Sequence, residues 1–190
     1  PRDGYIVEIH DDRVPQLRIN KKYMEMLKNK ALDSKTKEYL KSKINAAFWF
    51  IKAIEQRKST LREITERIVS VQKDFFDRGF AFLKPLRLKD IASDVGIHES
   101  TVSRAISGKF VNTPQGTIPY KQFFSNRMET EDGGSESQTS IMEKLKILIE
   151  NEPKSKPYSD AKLVQLLQAR GIKIARRTVA KYREMLRIGS

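Results

Sequence analysis

Apolar positions change period several times along this chain, and the changes divide it into segments. Tyr5 to Ile9 and Val14 to Ile19 alternate apolar and polar residues on either side of His10-Asp11-Asp12-Arg13, the pattern of a short hairpin. Two strands alone are marginal in water, so such a hairpin needs a neighbour. A short helix is expected near Lys21 to Lys28, with Asp33 or Ser34 capping a new start. From Lys35 to Arg78 there is neither Gly nor Pro. Leu40, Ile44, Ala47, Phe48, Ile51, Ile54, Leu61, Ile64, Ile68, Val71 and Phe75 recur there every three or four residues. One uninterrupted helix would extend roughly 65 Å at about 1.5 Å per residue. Two antiparallel helices broken near Gln56 to Thr60, where the stripe weakens at Lys58, are the alternative.

After Arg78 the apolar repeats shorten. Over Leu88 to Ile106, Ile91 and Ala92 pack a first helix, Gly96 supplies a turn, Ile97 fills the angle, and Val102 with Ala105 or Ile106 faces inward from a second helix. Small and turn-forming residues at these offsets let two helices cross closely, as in a helix-turn-helix. Glu99, Ser100, Thr101, Ser103 and Arg104 are then left outward near the start of the second helix, where base edges are contacted in that motif. A plain helical hairpin in a protein-binding bundle is the competing assignment.

Residues 129 to 138, Glu-Thr-Glu-Asp-Gly-Gly-Ser-Glu-Ser-Gln, are acidic and carry no apolar anchor, the composition of a flexible linker. Beyond them a stripe of Ile141, Leu145 and Leu148 predicts a helix over Ser140 to Glu150, and Ser159 can cap another over Asp160 to Ala169, ended by Gly171. A last helix carries Val179, Tyr182 and Leu186 at i, i+3 and i+7. Arg177, Lys181 and Glu184 share its other face, with Arg176 beside them. Arginine can hold guanine O6 and N7 bidentately, and either cation can meet phosphate, so this face suits a major groove. A solvated basic surface helix is the bland alternative. Gly171 lies seven residues before Thr178, whereas Gly96 lies five before Thr101, so the second motif has the longer turn.

Charge sharpens this picture. The formal net charge of +13 implies a polyanionic partner. It is unevenly spread, at +6 over residues 1 to 79, +4 over 80 to 128, −4 over 129 to 138 and +7 over 139 to 190. With 38% hydrophobic residues, several small modules fit better than one large core. No Cys is present, which excludes disulfides and thiolate metal sites and suits a reducing cytosol. His10 and His98 lie far from any metal-ligand spacing, Gly108-Lys109 lacks the glycines of a phosphate loop, and no cofactor is expected. No apolar run is long enough to suggest a membrane span. Phe75, Phe76, Phe80, Phe82, Phe110, Phe123 and Phe124 could stack on unpaired bases, but their clustering favours a wrapped core.

The decapeptide Ala175 to Glu184, ARRTVAKYRE, resembles at all ten positions the RpoN box of the sigma-54 family of bacterial RNA polymerase sigma factors. Gly79 to Gly116, Phe123 to Gly134 and Tyr158 to Leu186 resemble the C-terminal half of such a factor. The chain begins at Pro1, and neither a Gln-rich activator-responsive region nor a full core-binding domain is visible, so the resemblance implies a C-terminal portion.

It implies a mainly α fold with five parts. These are a core-binding remnant with hairpin and short helix (1–34), an extra-long helix (35–78), a helix-turn-helix domain (79–128), a flexible acidic linker (129–138) and a small three-helix, helix-turn-helix-like RpoN domain (139–190). The family's very long helix favours the unbroken version here. The resemblance implies non-enzymatic, sequence-specific binding of double-stranded promoter DNA, with core RNA polymerase and an ATP-hydrolysing AAA+ activator as partners. The RpoN domain would take a GG element about 24 base pairs upstream of the start site and the other motif a GC element about 12 upstream, roughly one helical turn apart.

Carried over by residue, the box implies base or phosphate contacts by Arg176, Arg177 and Lys181, with Thr178 among them and Arg183 as a phosphate candidate. His98 to Arg104 resembles the family's second motif, which marks Arg104 for the downstream element. Two other functions compete: a repressor or architectural protein acting without polymerase, and a recombinase using Tyr182 as nucleophile. The latter lacks a His-containing acid-base set around Tyr182.

Overall fold

The computed structural model describes residues 4–10, 16–28, 32–124, 127–129, 135–153 and 157–188. The fold is mainly helical, and its contacts group it into two compact units, Pro1–Thr65 and Glu66–Ser190.

In the first unit α1 spans Lys21–Lys28, as its pattern predicts, and buries none of its residues. Asn20 Oδ1 accepts from the Lys22 amide at 2.9 Å and so starts it. Of the expected hairpin before it, no strand forms among the described residues. Tyr5 to Ile9 and Gln16 to Ile19 adopt no strand, while Val14 and most of the tip lie outside the described residues. The physical reason is want of a surface to bury against, since Ile6 stays 85% exposed.

The second helix, α2, runs without a break from Ser34 to Val71, 38 residues or about 57 Å. Asp33 caps it, accepting from the Thr36 amide at 3.1 Å, and hydrogen bonds from Thr36 hold its carboxyl below the ordinary carboxylate range. The helix passes straight through Gln56 to Thr60, so the two-helix alternative is not adopted. It nevertheless stops short of Arg78. The chain turns at Gln72 and restarts as α3, Lys73–Arg78.

Gln72 has a fully buried side chain, and its amide does the work of a strand neighbour. Nε2 donates to the Lys84 carbonyl at 2.8 Å and Oε1 accepts from the Lys84 amide at 2.9 Å. That pairing fastens the extended segment leading to the next helices. Around it Phe75 meets Phe76, Phe80 and Phe123 edge to face at centroid separations of 5.1, 5.0 and 5.5 Å. Phe75, Phe76 and Phe123 are buried, so the aromatic cluster is core as expected; Phe82 and Phe110 stay exposed.

The helix-turn-helix follows as α4 (Leu88–Val95) and α5 (Glu99–Ile106), with Ile91, Ala92, Val102 and Ile106 buried between them. Then β1 (Phe110–Thr113) pairs antiparallel with β2 (Gly116–Pro119), a hairpin that the periodicity had not revealed. The 3-10 turn Tyr120–Phe123 returns Phe123 to the aromatic core.

Of the linker expected over 129–138, residues 130–134 lie outside the described residues, and the rest belong to regular elements. β3 (Arg127–Glu129) pairs with β4 (Ser135–Ser137), and α6 already begins at Gln138 and runs to Glu150. Ser137 causes the early start: its hydroxyl accepts from the Ser140 amide at 3.0 Å. The Ser140 hydroxyl donates to the Ala81 carbonyl, and Lys144 pairs with Glu136. α7 (Asp160–Gln168) and α8 (Arg176–Met185) complete a three-helix bundle. Its core is Ile141, Leu145, Leu148, Leu163, Leu167, Ile172, Ile174, Val179 and Tyr182.

Candidate nucleic-acid interface

Two helices present the candidate contacts, and each is held by apolar residues of its own inner face. On α5, Val102 and Ile106 point inward, leaving Glu99, Ser103 and Arg104 exposed with Ser100 and Thr101 half-buried. Its placement depends on the turn. Gly96 sits in the left-handed region at φ 72, and the Ile97 amide reaches back to the Ala92 carbonyl at 3.0 Å, closing α4 tightly enough for α5 to cross it. His98 then caps α5: its Nδ1 accepts from the Ser100 amide at 3.2 Å and lies 2.8 Å from the Ser100 hydroxyl. Ser100 therefore shares its hydroxyl with the cap, a role that sequence reasoning had not assigned to His98. α4 is fastened independently, since Asp94 pairs with Arg67 of α2 at 2.7 Å and Asp90 accepts from Arg87.

On α8 the inner face matches its spacing: Val179 is fully buried, Tyr182 is 4% exposed, and Leu186 packs at the margin. Arg176, Arg177, Ala180, Lys181 and Glu184 are exposed, and Thr178 is half-buried. The turn before α8 occupies residues 169–175 against 96–98 in the first motif, so the departure in spacing is real. Ile172 and Ile174 explain it, because both are buried in the bundle core and the long turn serves as packing.

The start of α8 breaks the usual rules. Its cap position is Ala175, which offers no side-chain acceptor, and its first turn holds no acid. Ser137, Ser159 and His98, by contrast, each cap their helices through a side chain. Two exposed arginines in the first turn also oppose the positive end of the helix dipole. Local electrostatics here favour an incoming anion.

Arg183 requires a correction. It was expected to face phosphate, yet it is 5% exposed and turned into the bundle, where Nη1 lies 3.0 Å from Asp160 Oδ1 and 3.3 Å from the Tyr158 carbonyl. Asp160 at the start of α7 and the preceding Tyr158 carbonyl meet this side chain, which a helical wheel cannot display. Tyr182 likewise sits in the core, and burial pushes its phenol above the ordinary value.

A family model described as Sigma-54, DNA binding domain matches residues 37–190. The chain belongs to the sigma-54 DNA-binding domain family. It is 42% identical over 186 residues to an RNA polymerase sigma-54 factor of Pseudomonas putida, covering 98% of this chain and 37% of the relative. With the corresponding factor of Escherichia coli it shares 43% over 184 residues, 97% of this chain and 38% of the relative. The crystal structure of Aquifex aeolicus sigmaN bound to promoter DNA matches with a TM-score of 0.59 at 39% identity, over 95% of this chain and 53% of that one. The chain thus spans well under half the length of these curated relatives. All the candidate residues on α5 and α8 fall within the portion matched by the sigma-54 family model. Among the described residues no helix is long and apolar enough to cross a membrane.

Proposed function

We propose that this chain binds promoter DNA sequence-specifically as the C-terminal portion of a sigma-54-type transcription initiation factor. The observation that carries the proposal is α8 itself: an uncapped helix start bearing exposed Arg176 and Arg177, with Lys181 one turn on, on a helix whose inner face joins a nine-residue core. A helix arranged against its own dipole is locally unfavourable, and such departures concentrate where a partner compensates them. Family membership and the DNA-bound sigmaN relative support the choice of duplex promoter DNA as that partner.

In this reading residues 139–190 take a GG element about 24 base pairs upstream, and α5 meets a GC element about 12 upstream, roughly one turn of duplex away. Arg176, Arg177, Lys181 and Thr178 serve the first contact; Glu99, Ser100, Thr101, Ser103 and Arg104 serve the second. The chain is not an enzyme and works in the cytoplasm. It directs core RNA polymerase to such promoters and keeps the complex closed until an AAA+ activator ATPase acts. A repressor independent of polymerase predicts no change in the DNA complex on adding core enzyme. A recombinase is disfavoured, since the Tyr182 phenol is buried and hard to ionise.

The test compares affinities for duplexes with and without the GG block. Arg177→Ala should lose about 1 to 3 kcal/mol on the GG site and little elsewhere, if it meets a base. Lys146→Ala, whose ammonium lies near Glu143 and Glu150 on α6, should leave preference unchanged. Selective loss in Lys146→Ala with none in Arg177→Ala would place recognition on another face.

A further inference from the structure

We propose that Arg183 is a positioning residue for DNA recognition, a clamp that fixes the roll and height of α8 and thereby aims Arg176, Arg177 and Lys181. The proposal rests on the reading of α8 as the promoter-contacting helix.

Arginine is rarely buried unless paired, and Arg183 is 5% exposed in the last turn of α8. Nη1 donates to Asp160 Oδ1 at 3.0 Å and to the Tyr158 carbonyl at 3.3 Å. The receiving groups are themselves fixed. Asp160 opens α7, Ser159 caps that helix through its hydroxyl, and the Tyr158 amide donates to Glu152 Oε2 at 2.7 Å just beyond the end of α6. The guanidinium is thus tied to the segment joining the two supporting helices.

The apolar contacts of α8 cannot supply this by themselves. Val179 and Tyr182 bury area, but burial is non-directional and tolerates a helix that rotates or slides by a fraction of a turn. A charge-assisted hydrogen bond fixes direction. Arg183 follows Arg176 by seven residues, so the two share one side of the helix about 10 Å apart along its axis. The clamp therefore grips the line on which the first exposed arginine stands. Base recognition tolerates little error, since binding groups must be held within about 0.5 Å of productive geometry. Phosphate attraction is much less demanding in this respect.

The experiment measures affinity of the full chain for a GG-containing duplex and for one of equal length with the GG block replaced, each across a salt series. Variants are Asp160→Asn, Arg183→Met, the double variant Asp160→Asn/Arg183→Met, and Arg177→Ala as the contact control. The double variant removes both charges and leaves neither one buried alone, so folding is preserved and is checked by thermal melting. The expected result is a loss of about tenfold in the ratio of GG to non-GG affinity for the double variant, shared in direction by Asp160→Asn. The slope of log affinity against log salt should stay that of the parent.

Two results would overturn the clamp. One is a slope shallower by about 0.9 in Arg183→Met with Asp160→Asn unaltered, which marks a phosphate contact. The other is an unchanged ratio in a folded double variant while Arg177→Ala still loses preference. If instead the parent does not discriminate GG at all, the promoter reading fails and takes the clamp with it.

Discussion

Gln72 is the polar side chain whose removal the structure penalises most plainly. Its carboxamide is fully buried and satisfies both the amide and the carbonyl of Lys84, at 2.9 and 2.8 Å. Gln72→Met keeps nearly the same volume in a flexible apolar side chain, so the packing of Phe75 and Phe76 changes little. What changes is that two main-chain groups of Lys84 lose their partner in a part-buried setting. At about 1 to 3 kcal/mol for each group left unsatisfied, and nearer the low end where water has some access, the loss should be about 2 to 4 kcal/mol. That is a large share of the about 5 to 15 kcal/mol that keeps a domain folded.

Gln72→Glu separates the two bonds. Its carboxylate can still accept from the Lys84 amide, but it faces the Lys84 carbonyl with like polarity and must be ionised in the core. Protonation restores a donor, so this variant should gain stability as pH falls through the buried acid's raised pKa. Urea unfolding gives the free energies, and native-state hydrogen exchange of the Leu83 to Leu86 amides localises them. A Met variant within about 0.5 kcal/mol of the parent would refute the reasoning, because water would then be replacing the amide at no cost.

Two further outcomes follow from buried or strained groups. Burial raises the Tyr182 phenol, so the folded state keeps its proton after the unfolded chain, near pH 10, has released it. Stability should therefore be intact below about pH 10 and fall as pH rises from there through the raised folded value; Tyr182→Phe should flatten that decline in melts taken from about pH 8 to 11. At Gly96 an added Cβ meets nothing within 4 Å, yet φ is 72, so the whole cost of Gly96→Ala is conformational. Urea denaturation should show a loss of about 1 to 2 kcal/mol, and an alanine variant as stable as the parent would contradict the left-handed turn.

How much of this was legible beforehand varies with the physics involved. Period-3.6 stripes placed α4 and α5 within Leu88 to Ile106 and α7 within a residue, because each buries one face and needs no distant partner to specify it; α1 was located too, although it buries none of its residues. They also indicated the run of α2 through Lys58, where one weak position costs less than ending a helix. They missed β1 and β2, whose turn was nonetheless marked by Pro114 and Gly116 between Val111 and Ile118. They misplaced the start of α6 because an acidic, serine-rich stretch looks solvated, whereas Ser137 spends its hydroxyl on a helix amide. The end of α2 was out of reach: Gln72 shows nothing in sequence that distinguishes a surface amide from one paired to Lys84, twelve residues on.

The same limit operates inside the candidate interface. A helical wheel orders the cations of α8 by direction, and by that measure Arg176 and Arg183 are equivalent. What separates them is coverage along the axis. Arg176 in the first turn is exposed, while Arg183 in the last turn faces the start of α7, so one guanidinium stays in water and the other meets Asp160. Net charge thus overstates what this helix can offer a polyanion. Of its four cations, three are exposed and the fourth is neutralised internally, so a salt slope counted from composition would exceed the one measured by about 0.9 for this helix alone.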